Sequence, residues 1–389
     1  MDIAGSAGIL PGMQRSDVIV VGAGILGVSF AAALLARGRK VVLIERHSQP
    51  GDGSVRNFGL AWPFVMPGPE WVPDHLRTAE IYSELARTLS FDHQKHGALL
   101  VAQSPAEIRV MEEFAAMTGD WQIEAEMLPA HAARSKQRLL GATTLGALHF
   151  PGAAAVNPRR LVAAWLEQLR AQATAVIRSA TTAVWLEAKS GGHRILTSAG
   201  EWFEADRVVL CSGEDFQTLL PEVLRTSGLV RCKLQMLETE ALDAAGPSLA
   251  FGRSLRHYPL FSKCPGFSAL RSSSADEELD RFGIHLLLKP TSEGTLVIGD
   301  SHEDQEGEAP RDFDYSARIE NRLLELASAV LDVPRGNLAP RRRWLGYYSR
   351  HATRACFEAE PQPGVHVFSG LTCGMSAGPG FAERRTREW

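Results

Sequence analysis

The sequence predicts an α/β protein in which a parallel nucleotide-binding sheet is interleaved with a domain built on a mixed or antiparallel sheet. An apolar, β-branched run over 17–21 precedes a glycine-rich turn and a small, apolar stretch over 25–36, as expected for a strand and its crossover helix. A second apolar strand follows over 40–44. Later segments alternate or are rich in β-forming residues, at 229–239, 254–259, 283–290 and 294–299.

Three glycines in the first turn, Gly22, Gly24 and Gly27, have the G-x-G-x-x-G spacing. Gly22 permits a tight turn, Gly24 lets backbone approach a pyrophosphate, and Gly27 lets the helix close on the strand. The helix begins at Ile25 and Leu26, where free N–H groups and the helix dipole can hold a phosphate. The spacing predicts a dinucleotide site; the alternative is a glycine-rich turn in an ordinary βαβ unit.

The second strand ends in Glu45, which Arg46 follows. A carboxylate at this strand end can accept hydrogen bonds from both hydroxyls of a ribose, and it argues against NADP, whose 2′-phosphate prefers an arginine. Further along the chain, the sequence predicts helices over 74–89, 105–117, 158–170 and 317–331 and from 375 to 382, and strands over 98–102, 147–156, 173–178, 182–187, 195–198, 204–211, 342–348 and 365–369.

The elements predict two domains that interleave along the chain. Residues 17–94, 158–228 and 349–389 form the nucleotide-binding domain, and residues 95–157 and 229–348 form the substrate domain. Residues 1–16 are rich in Gly and Ala and lack a basic start and a long apolar core, so we expect a flexible leader rather than a signal peptide.

Bulk composition excludes several classes of function. The chain has 389 residues, of which 45% are hydrophobic and 22% charged, as in ordinary globular proteins. A net charge of −4 predicts neither nucleic acid nor an anionic membrane as partner. The five scattered cysteines form no C-x-x-C pair, so we expect a reducing, cytoplasmic location and no metal. No apolar run approaches membrane-spanning length.

Four blocks carry a resemblance to a known family: Gly22 to Gly27 with Glu45, the segment SVRNFG at 54–59, TAV at 182–184 with the strand and turn at 208–213, and GLTCGMS at 370–376. Together they resemble the D-amino-acid-oxidase-like flavoproteins, which include glycine oxidase and sarcosine oxidase. The resemblance implies a Rossmann-type FAD-binding domain. It places the following residues at the cofactor: Gly22, Gly24, Ile25, Leu26, Gly27, Glu45, Arg46, Ser54, Arg56, Asn57, Phe58, Val184, Ser212, Gly213, Gly374, Met375 and Ser376.

A narrower likeness lies in the strings SVRNFGLAWP, CKLQML, LRHYP, LDRFGIH and IGDSHE. They resemble a bacterial clade of this family that is associated with phosphonate breakdown. This implies hydride transfer to flavin N5 from the carbon next to a secondary amine of an N-alkylated 2-aminoethylphosphonate. The implied products are phosphonoacetaldehyde, an alkylamine and, with oxygen as the electron acceptor, hydrogen peroxide.

One departure from the family pattern supports a substrate other than an α-amino acid. In the family that this chain resembles, glycine and D-amino-acid oxidases carry an arginine two residues after a glycine in the strand that faces the flavin. This arginine binds the substrate carboxylate through two hydrogen bonds. The matching strand here contains Gly346, which places Tyr348 at that position. A tyrosine cannot pair with a carboxylate as a cation does.

The resemblance implies His285 as a catalytic residue, because it aligns with a strand on the substrate side of the flavin, and His302 and Tyr348 are the other predicted catalytic residues. A dianionic phosphonate also needs cations and donors, and Lys233, Arg256, His257, Tyr258 and Trp344 are the predicted substrate-binding residues. For Lys233 and Arg256 the alternative is a solvated strand face, for His285 a core histidine, for His302 a loop residue and for Trp344 plain core.

Two rival functions remain open at this stage. The first is an oxidase of glycine, sarcosine or a D-amino acid, which would turn over carboxylate substrates despite Tyr348. The second is a flavoprotein that uses FAD as a structural or electron-carrying unit and has no amine substrate.

Overall fold

The computed structural model describes residues 14–270, 277–307 and 309–389. Strand β1 begins at Gln14, and residues 14–16 pair in parallel with residues 203–205. The prediction of a flexible leader over 1–16 is therefore wrong for its last three residues, because the neighbouring strand satisfies their backbone groups. The rest of that prediction concerns residues 1–13, which lie outside the described part of the chain.

The first sheet has eight strands and contains the dinucleotide motif. Its path runs β18–β19–β11–β1–β2–β8, and β1 is parallel to both β2 and β11. Strand β10 pairs with residues 202–205 of β11, and β9 pairs with β10, so this hairpin adds two further strands to the sheet. The strands are β1 (Gln14–Val21), β2 (Val41–Ile44), β8 (Ala175–Arg178), β9 (Ala183–Lys189), β10 (Gly192–Thr197), β11 (Trp202–Leu210), β18 (Phe357–Gln362) and β19 (Val365–Ser369).

The helices α1 (Ile25–Ala36), α5 (Pro158–Arg170) and α10 (Gly374–Arg385) pack together beside this sheet and share a core with α2 (Val72–Leu85). The predicted helix over 158–170 is confirmed with both ends correct. Asn157 caps it by accepting hydrogen bonds from the N–H groups of Arg159 and Arg160, and Pro158 fits its first turn.

The second sheet has nine strands, mostly antiparallel. Its path runs β16–β12–β15–β14–β13–β4–β6–β5, and β17 pairs with β12 along almost its whole length. The strands are β4 (Ala98–Ala102), β5 (Glu126–Pro129), β6 (Gly146–Phe150), β12 (Leu229–Thr239), β13 (Ser248–Phe251), β14 (Leu287–Pro290), β15 (Leu296–Gly299), β16 (Glu303–Gln305) and β17 (Pro340–His351). A separate pair joins β3 (Leu60–Ala61) to β7 (Ala154–Ala155).

The remaining helices are α3 (Pro105–Met117), α4 (Ala130–Lys136), α6 (Pro221–Arg225), α7 (Arg253–His257), α8 (Glu277–Arg281) and α9 (Ala317–Val330). Of these, α6 shares a core with the first sheet through Leu224. Within 14–270, 277–307 and 309–389, none of the helices combines the length and apolar character needed to cross a membrane. The mixed α/β fold class that the sequence predicts is confirmed. The domain boundaries stay a prediction, although the two sheets do draw their strands from separate chain segments.

One strand prediction is wrong, and two others are wrong in part. The segment 254–259 is not a strand: the chain forms the short helix α7, closed by bonds from Leu255 N–H to Gly252 O and from Tyr258 N–H to Ser254 O, so its backbone needs no neighbouring strand. Residues 283–286 precede β14, and Leu286 adopts a left-handed φ of 49° there. A turn divides the segment 147–156 into β6 and β7.

Candidate active site

A cavity of about 770 Å³ runs from the carboxyl ends of β1, β2 and β11 to the edge of the second sheet. At one end it is lined by the glycine-rich turn and the loop 50–60. At the other it is lined by α7, by residues 300 and 302, and by β17. In open α/β sheets, ligands bind at the carboxyl ends of the strands, so this is the expected place for a dinucleotide.

The glycine-rich turn is too tight for side chains. Gly22 has a left-handed φ of 94°, and an added Cβ would lie 2.3 Å from the carbonyl oxygen of Cys211. A Cβ on Gly27 would lie 1.7 Å from the carbonyl oxygen of Gly22. A Cβ on Gly24 would lie 2.8 Å from Ser54 Oγ. Gly22 and Gly24 line the cavity, whereas Gly27 lies behind the turn and lets α1 pack against β1.

The carboxylate of Glu45, at the end of β2, is hydrogen-bonded to the backbone of the glycine-rich turn. Glu45 is buried, and its carboxylate accepts hydrogen bonds from the backbone N–H groups of Ala23 at 2.8 Å and His47 at 2.9 Å. At the start of α1, the N–H of Ile25 donates to Ser54 Oγ at 2.9 Å. One of the backbone N–H groups at the start of this helix is therefore already hydrogen-bonded to Ser54. Leu26 lines the cavity next to it.

The loop 53–59 is held by its own side chains. Asn57 Nδ2 donates to Gly53 O at 2.8 Å, and Asn57 Oδ1 accepts from Gly59 N–H at 2.7 Å. Asn57 and Phe58 line the cavity. Arg56 does not: its exposed guanidinium donates to the carbonyl oxygens of Gly51 and Leu345, so it fastens the loop to β17 rather than facing the cofactor space.

Two further cofactor predictions concern neighbouring strand ends. Arg46 pairs with Asp215 at 2.6 Å, and Ser212 and Gly213 line the cavity. Val184 lies outside it and is 38% exposed, whereas Ala183 faces the cavity. Successive side chains of a strand point to opposite faces, so an error of one residue in the prediction names a side chain on the solvent face of the strand.

Helix α10 begins at the cavity with Gly374, Met375 and Ser376. Its first turn is fixed from α2: Tyr82 donates its hydroxyl to Met375 O at 2.9 Å, and His75 Nδ1 lies 3.0 Å from Ser376 O. Ser376 Oγ donates to Leu60 O at 2.9 Å. These contacts hold the positive end of the helix dipole toward the cavity.

The far end of the cavity holds three histidines that are distant in sequence. His257, His285 and His302 each offer a ring nitrogen, and these nitrogens all lie within 4.8 Å of one another. The ring of His257 stacks on that of His285 at 3.9 Å between centroids, and His302 lies 4.9 Å and 5.3 Å from them. Burial lowers the pKa of His285 well below its usual value, so this imidazole is neutral near pH 7.

Asp300 lies between two of these rings. Its Oδ1 is 3.4 Å from His285 Nε2, and its Oδ2 is 3.7 Å from His302 Nε2. The carboxylate is buried, which raises its pKa, and Oδ1 has no hydrogen-bond partner among the described residues. Asp300 was not predicted from the sequence. Its position directly after the buried strand β15, two residues before His302, is the signal that could have found it.

Two tyrosines and two arginines complete this end of the cavity. Burial raises the pKa of Tyr258 and Tyr348 well above the usual value, so both hydroxyls remain hydrogen-bond donors. Arg350 makes a two-pronged ion pair with Asp304, with 2.6 Å between Nε and Oδ1. Arg256 also lines the cavity. Arg350 was not predicted, although it follows Tyr348 by two residues and so lies on the same face of β17.

The pattern of the family described as FAD dependent oxidoreductase matches residues 17–387. The chain belongs to this family. It is 24% identical over 379 residues to one of the subunits of opine oxidase from Agrobacterium tumefaciens, and the alignment covers 92% of this chain and 90% of that one. It is 29% identical over 254 residues to the tRNA 5-methylaminomethyl-2-thiouridine biosynthesis bifunctional protein MnmC of Magnetococcus marinus, but this alignment spans only 61% of this chain and 35% of the relative.

Among solved structures, glycine oxidase from Geobacillus kaustophilus is similar in fold, with a TM-score of 0.76 at 18% identity, covering 96% of this chain and 93% of that one. This FAD-dependent oxidoreductase is thus an enzyme, and its cofactor is FAD. The residues fit the cofactor: the tight glycine turn, the acid at the end of β2 and the start of α10 all face one cavity.

Two residues that were predicted to bind substrate, Lys233 and Trp344, do not line the cavity of this FAD-dependent oxidoreductase. Lys233 is buried on the other face of β12, where its Nζ pairs with Asp312 at 2.6 Å and donates to Asp314 O at 2.8 Å. Trp344 lies outside the main cavity and donates its indole N–H to Arg56 O at 3.0 Å. Arg256 and His257 do line the cavity, but from helix α7 rather than from a strand.

Proposed function

We propose that this enzyme oxidises an N-alkylated 2-aminoethylphosphonate at the carbon next to the secondary amine. With water and oxygen, R–NH–CH₂–CH₂–PO₃²⁻ gives R–NH₂, phosphonoacetaldehyde and hydrogen peroxide, so two electrons pass from the carbon–nitrogen unit to oxygen. The observation that carries the proposal is Tyr348, which stands buried in the cavity at the strand position where, by the resemblance, amino-acid oxidases carry the carboxylate-binding arginine.

The polar groups of the cavity suit a tetrahedral oxyanion. Tyr258 and Tyr348 are protonated donors at neutral pH, because burial disfavours their anions. Arg256 adds positive charge from α7, and Arg350 lines the cavity from β17 with its guanidinium paired to Asp304. A phosphonate has three oxygens that can accept from donors arranged around it, whereas a carboxylate is planar and is bound best by one bidentate arginine.

The bound flavin supplies the hydride acceptor for this chemistry. The protein's part is to bind the amine in its neutral form and to aim the carbon–hydrogen bond. The walls of the cavity are suited to this task, because the strand β17 and helix α10 that frame it are regular elements fixed by packing. His285, His302 and Tyr348 line the same space, and their catalytic roles are part of the proposal.

The relatives support a second candidate. The opine oxidase chain of Agrobacterium tumefaciens aligns over most of both sequences, and its name describes oxidation of opines. An opine-type substrate would keep the secondary amine and replace the phosphonate by carboxylates. Arg350 and Arg256, rather than a residue at position 348, would then bind those carboxylates.

Anaerobic flavin bleaching separates these candidates. Purified enzyme receives N-methyl-2-aminoethylphosphonate, sarcosine, glycine, D-alanine or an opine such as octopine in separate cuvettes, and absorbance near 450 nm is followed. Bleaching by the phosphonate with a kcat/KM at least about 100-fold above that for sarcosine is the expected result, a difference of about 2.7 kcal/mol. Bleaching by octopine or by an amino acid alone would overturn the phosphonate proposal, and no bleaching would favour an electron-carrying flavoprotein.

A further inference from the structure

We infer that His285, His302 and Asp300 form a binding site for a divalent transition-metal ion, with His257 as a third imidazole. All four residues line the cavity. The sequence predicted no metal, because that prediction relied on ligands close together in sequence. Here the ligands come from three separate segments, α7, the turn before β14 and the turn after β15.

The hydrogen bonds of the two inner histidines fix where their lone pairs point. His302 Nδ1 lies 3.0 Å from Gly283 O, and because a carbonyl only accepts, this nitrogen carries the proton. His285 Nδ1 lies 3.1 Å from Ser254 Oγ, whose own hydroxyl is within 3.3 Å of the carbonyl oxygen of His285. In the neutral rings, both Nε2 lone pairs are therefore directed at Asp300.

Lone pairs facing a carboxylate repel it unless a cation lies between them. The separations from Asp300, 3.4 Å and 3.7 Å, are too long for good hydrogen bonds. They match two ligands on one metal, since metal–ligand bonds of about 2.1 Å at tetrahedral angles place ligand atoms about 3.4 Å apart.

A second, independent observation points to a missing partner. Asp300 Oδ1 is buried and accepts no hydrogen bond from the described residues. Leaving a carboxylate oxygen in this state is costly, and a metal ion would satisfy it. Outer hydrogen bonds from metal-bound histidines to a carbonyl and a hydroxyl are also the usual way in which proteins orient such ligands.

The donor set suggests the class of metal. Imidazole nitrogens with one carboxylate oxygen suit Zn²⁺, Fe²⁺ and related ions rather than Ca²⁺ or Mg²⁺, which prefer oxygen. His257 is exposed and stacks on His285, and its ring nitrogen lies within 4.8 Å of those of the other two histidines. Three protein ligands leave one position of a tetrahedral site open to the cavity, as in catalytic metal sites, whereas His257 as a fourth ligand would close it.

The test is a Zn²⁺ titration of the FAD-loaded enzyme after dialysis against a chelator, read by calorimetry and by metal analysis after desalting. It needs no amine substrate, so its outcome is separate from that of the proposed function. We expect one equivalent per chain. Asp300→Asn and His302→Ala should each weaken binding at least about tenfold, whereas His131→Ala, which removes an exposed histidine, should leave it unchanged.

Ser254→Ala provides a milder variant should either change impair folding. It removes only the partner of His285 Nδ1, and we expect a several-fold weaker affinity with normal FAD content. Uptake by the wild type no greater than by an Asp300→Asn/His302→Ala double variant would overturn the inference and indicate that a proton holds the cluster together. Equal binding by all variants would likewise overturn it, since the ion would then lie elsewhere.

Discussion

The carboxylate of Glu45 accepts a hydrogen bond from the backbone N–H of Ala23, with 2.8 Å between Oε2 and N. This contact joins the end of β2 to the middle of the glycine-rich turn. The residue predicted to bind the ribose therefore also shapes the turn that would hold the pyrophosphate. The two functions share one side chain, because the carboxyl ends of adjacent parallel strands meet at the same edge of the sheet.

We expect Glu45→Gln to weaken FAD binding at least about tenfold. An amide presents an NH₂ group toward one of the two backbone donors, so one charge-assisted hydrogen bond is lost, typically about 1.5–3 kcal/mol. The dissociation constant is measured by flavin fluorescence on titrating apoprotein with FAD. Glu124→Gln, at an exposed position, is the control, and equal affinities for the two variants would contradict the role assigned to Glu45.

Gly27→Ala should separate helix α1 from the turn and reduce both stability and FAD content. The new Cβ would lie 1.7 Å from Gly22 O, so the helix has to shift, at a cost of about 1–3 kcal/mol or more. Thermal unfolding and the absorbance ratio at 450 and 280 nm measure the two effects. Gly152→Ala is the matched control, because no heavy atom of the described residues lies within 4 Å of its Cβ, and it should behave as the wild type.

Much of the nucleotide-binding sheet could be predicted because its signals are local. Gly22, Gly24 and Gly27 fall within one turn, and the ends of α5 are marked by Asn157 and Pro158. Helix α7 was missed because its alternating sequence also suits a strand, and only the lack of a neighbouring strand among the described residues decides against it.

The far end of the cavity could be predicted only in part. His257, His285 and His302 were each singled out, but the meeting of their rings, and the approach of Asp300 to His285 and His302, depends on the packing of separate loops and helices, which no sequence spacing encodes. Lys233 was assigned to the correct strand and the wrong face. Side chains alternate between the two faces of a strand, and this alternation does not show which face meets the cavity. At least one known contact of the strand is needed to decide.

The position of Lys233 leads to a prediction about substrate binding. Lys233→Met should lower the free energy of unfolding by about 1–3 kcal/mol, because it removes the buried partner of Asp312, and leave KM within about twofold of the wild type. Arg256→Met, within the cavity, should raise KM about tenfold or more. Denaturant unfolding and steady-state kinetics with the amine that bleaches the flavin give both values. A large rise in KM for Lys233→Met would return that residue to the substrate site.

The contact between His75 and α10 predicts a loss of stability in acid. Burial lowers the pKa of His75 to about 4, while in the unfolded chain it is near 6.5, so between these values the unfolded state binds the additional proton. The free energy of unfolding should therefore fall as pH drops from 6.5 to 4, by up to about 3 kcal/mol from this residue. His75→Asn, which keeps an N–H donor for Ser376 O, should flatten that part of the profile relative to the wild type.

The comparison requires unfolding curves at several pH values between 4 and 7 for the wild type, His75→Asn and the exposed-site control His131→Asn. The control should follow the wild-type slope, because other groups that titrate in this range are common to all three proteins. If His75→Asn keeps the full wild-type slope, His75 takes up no additional proton on unfolding. The acid sensitivity of the α2–α10 contact would then have to come from another group.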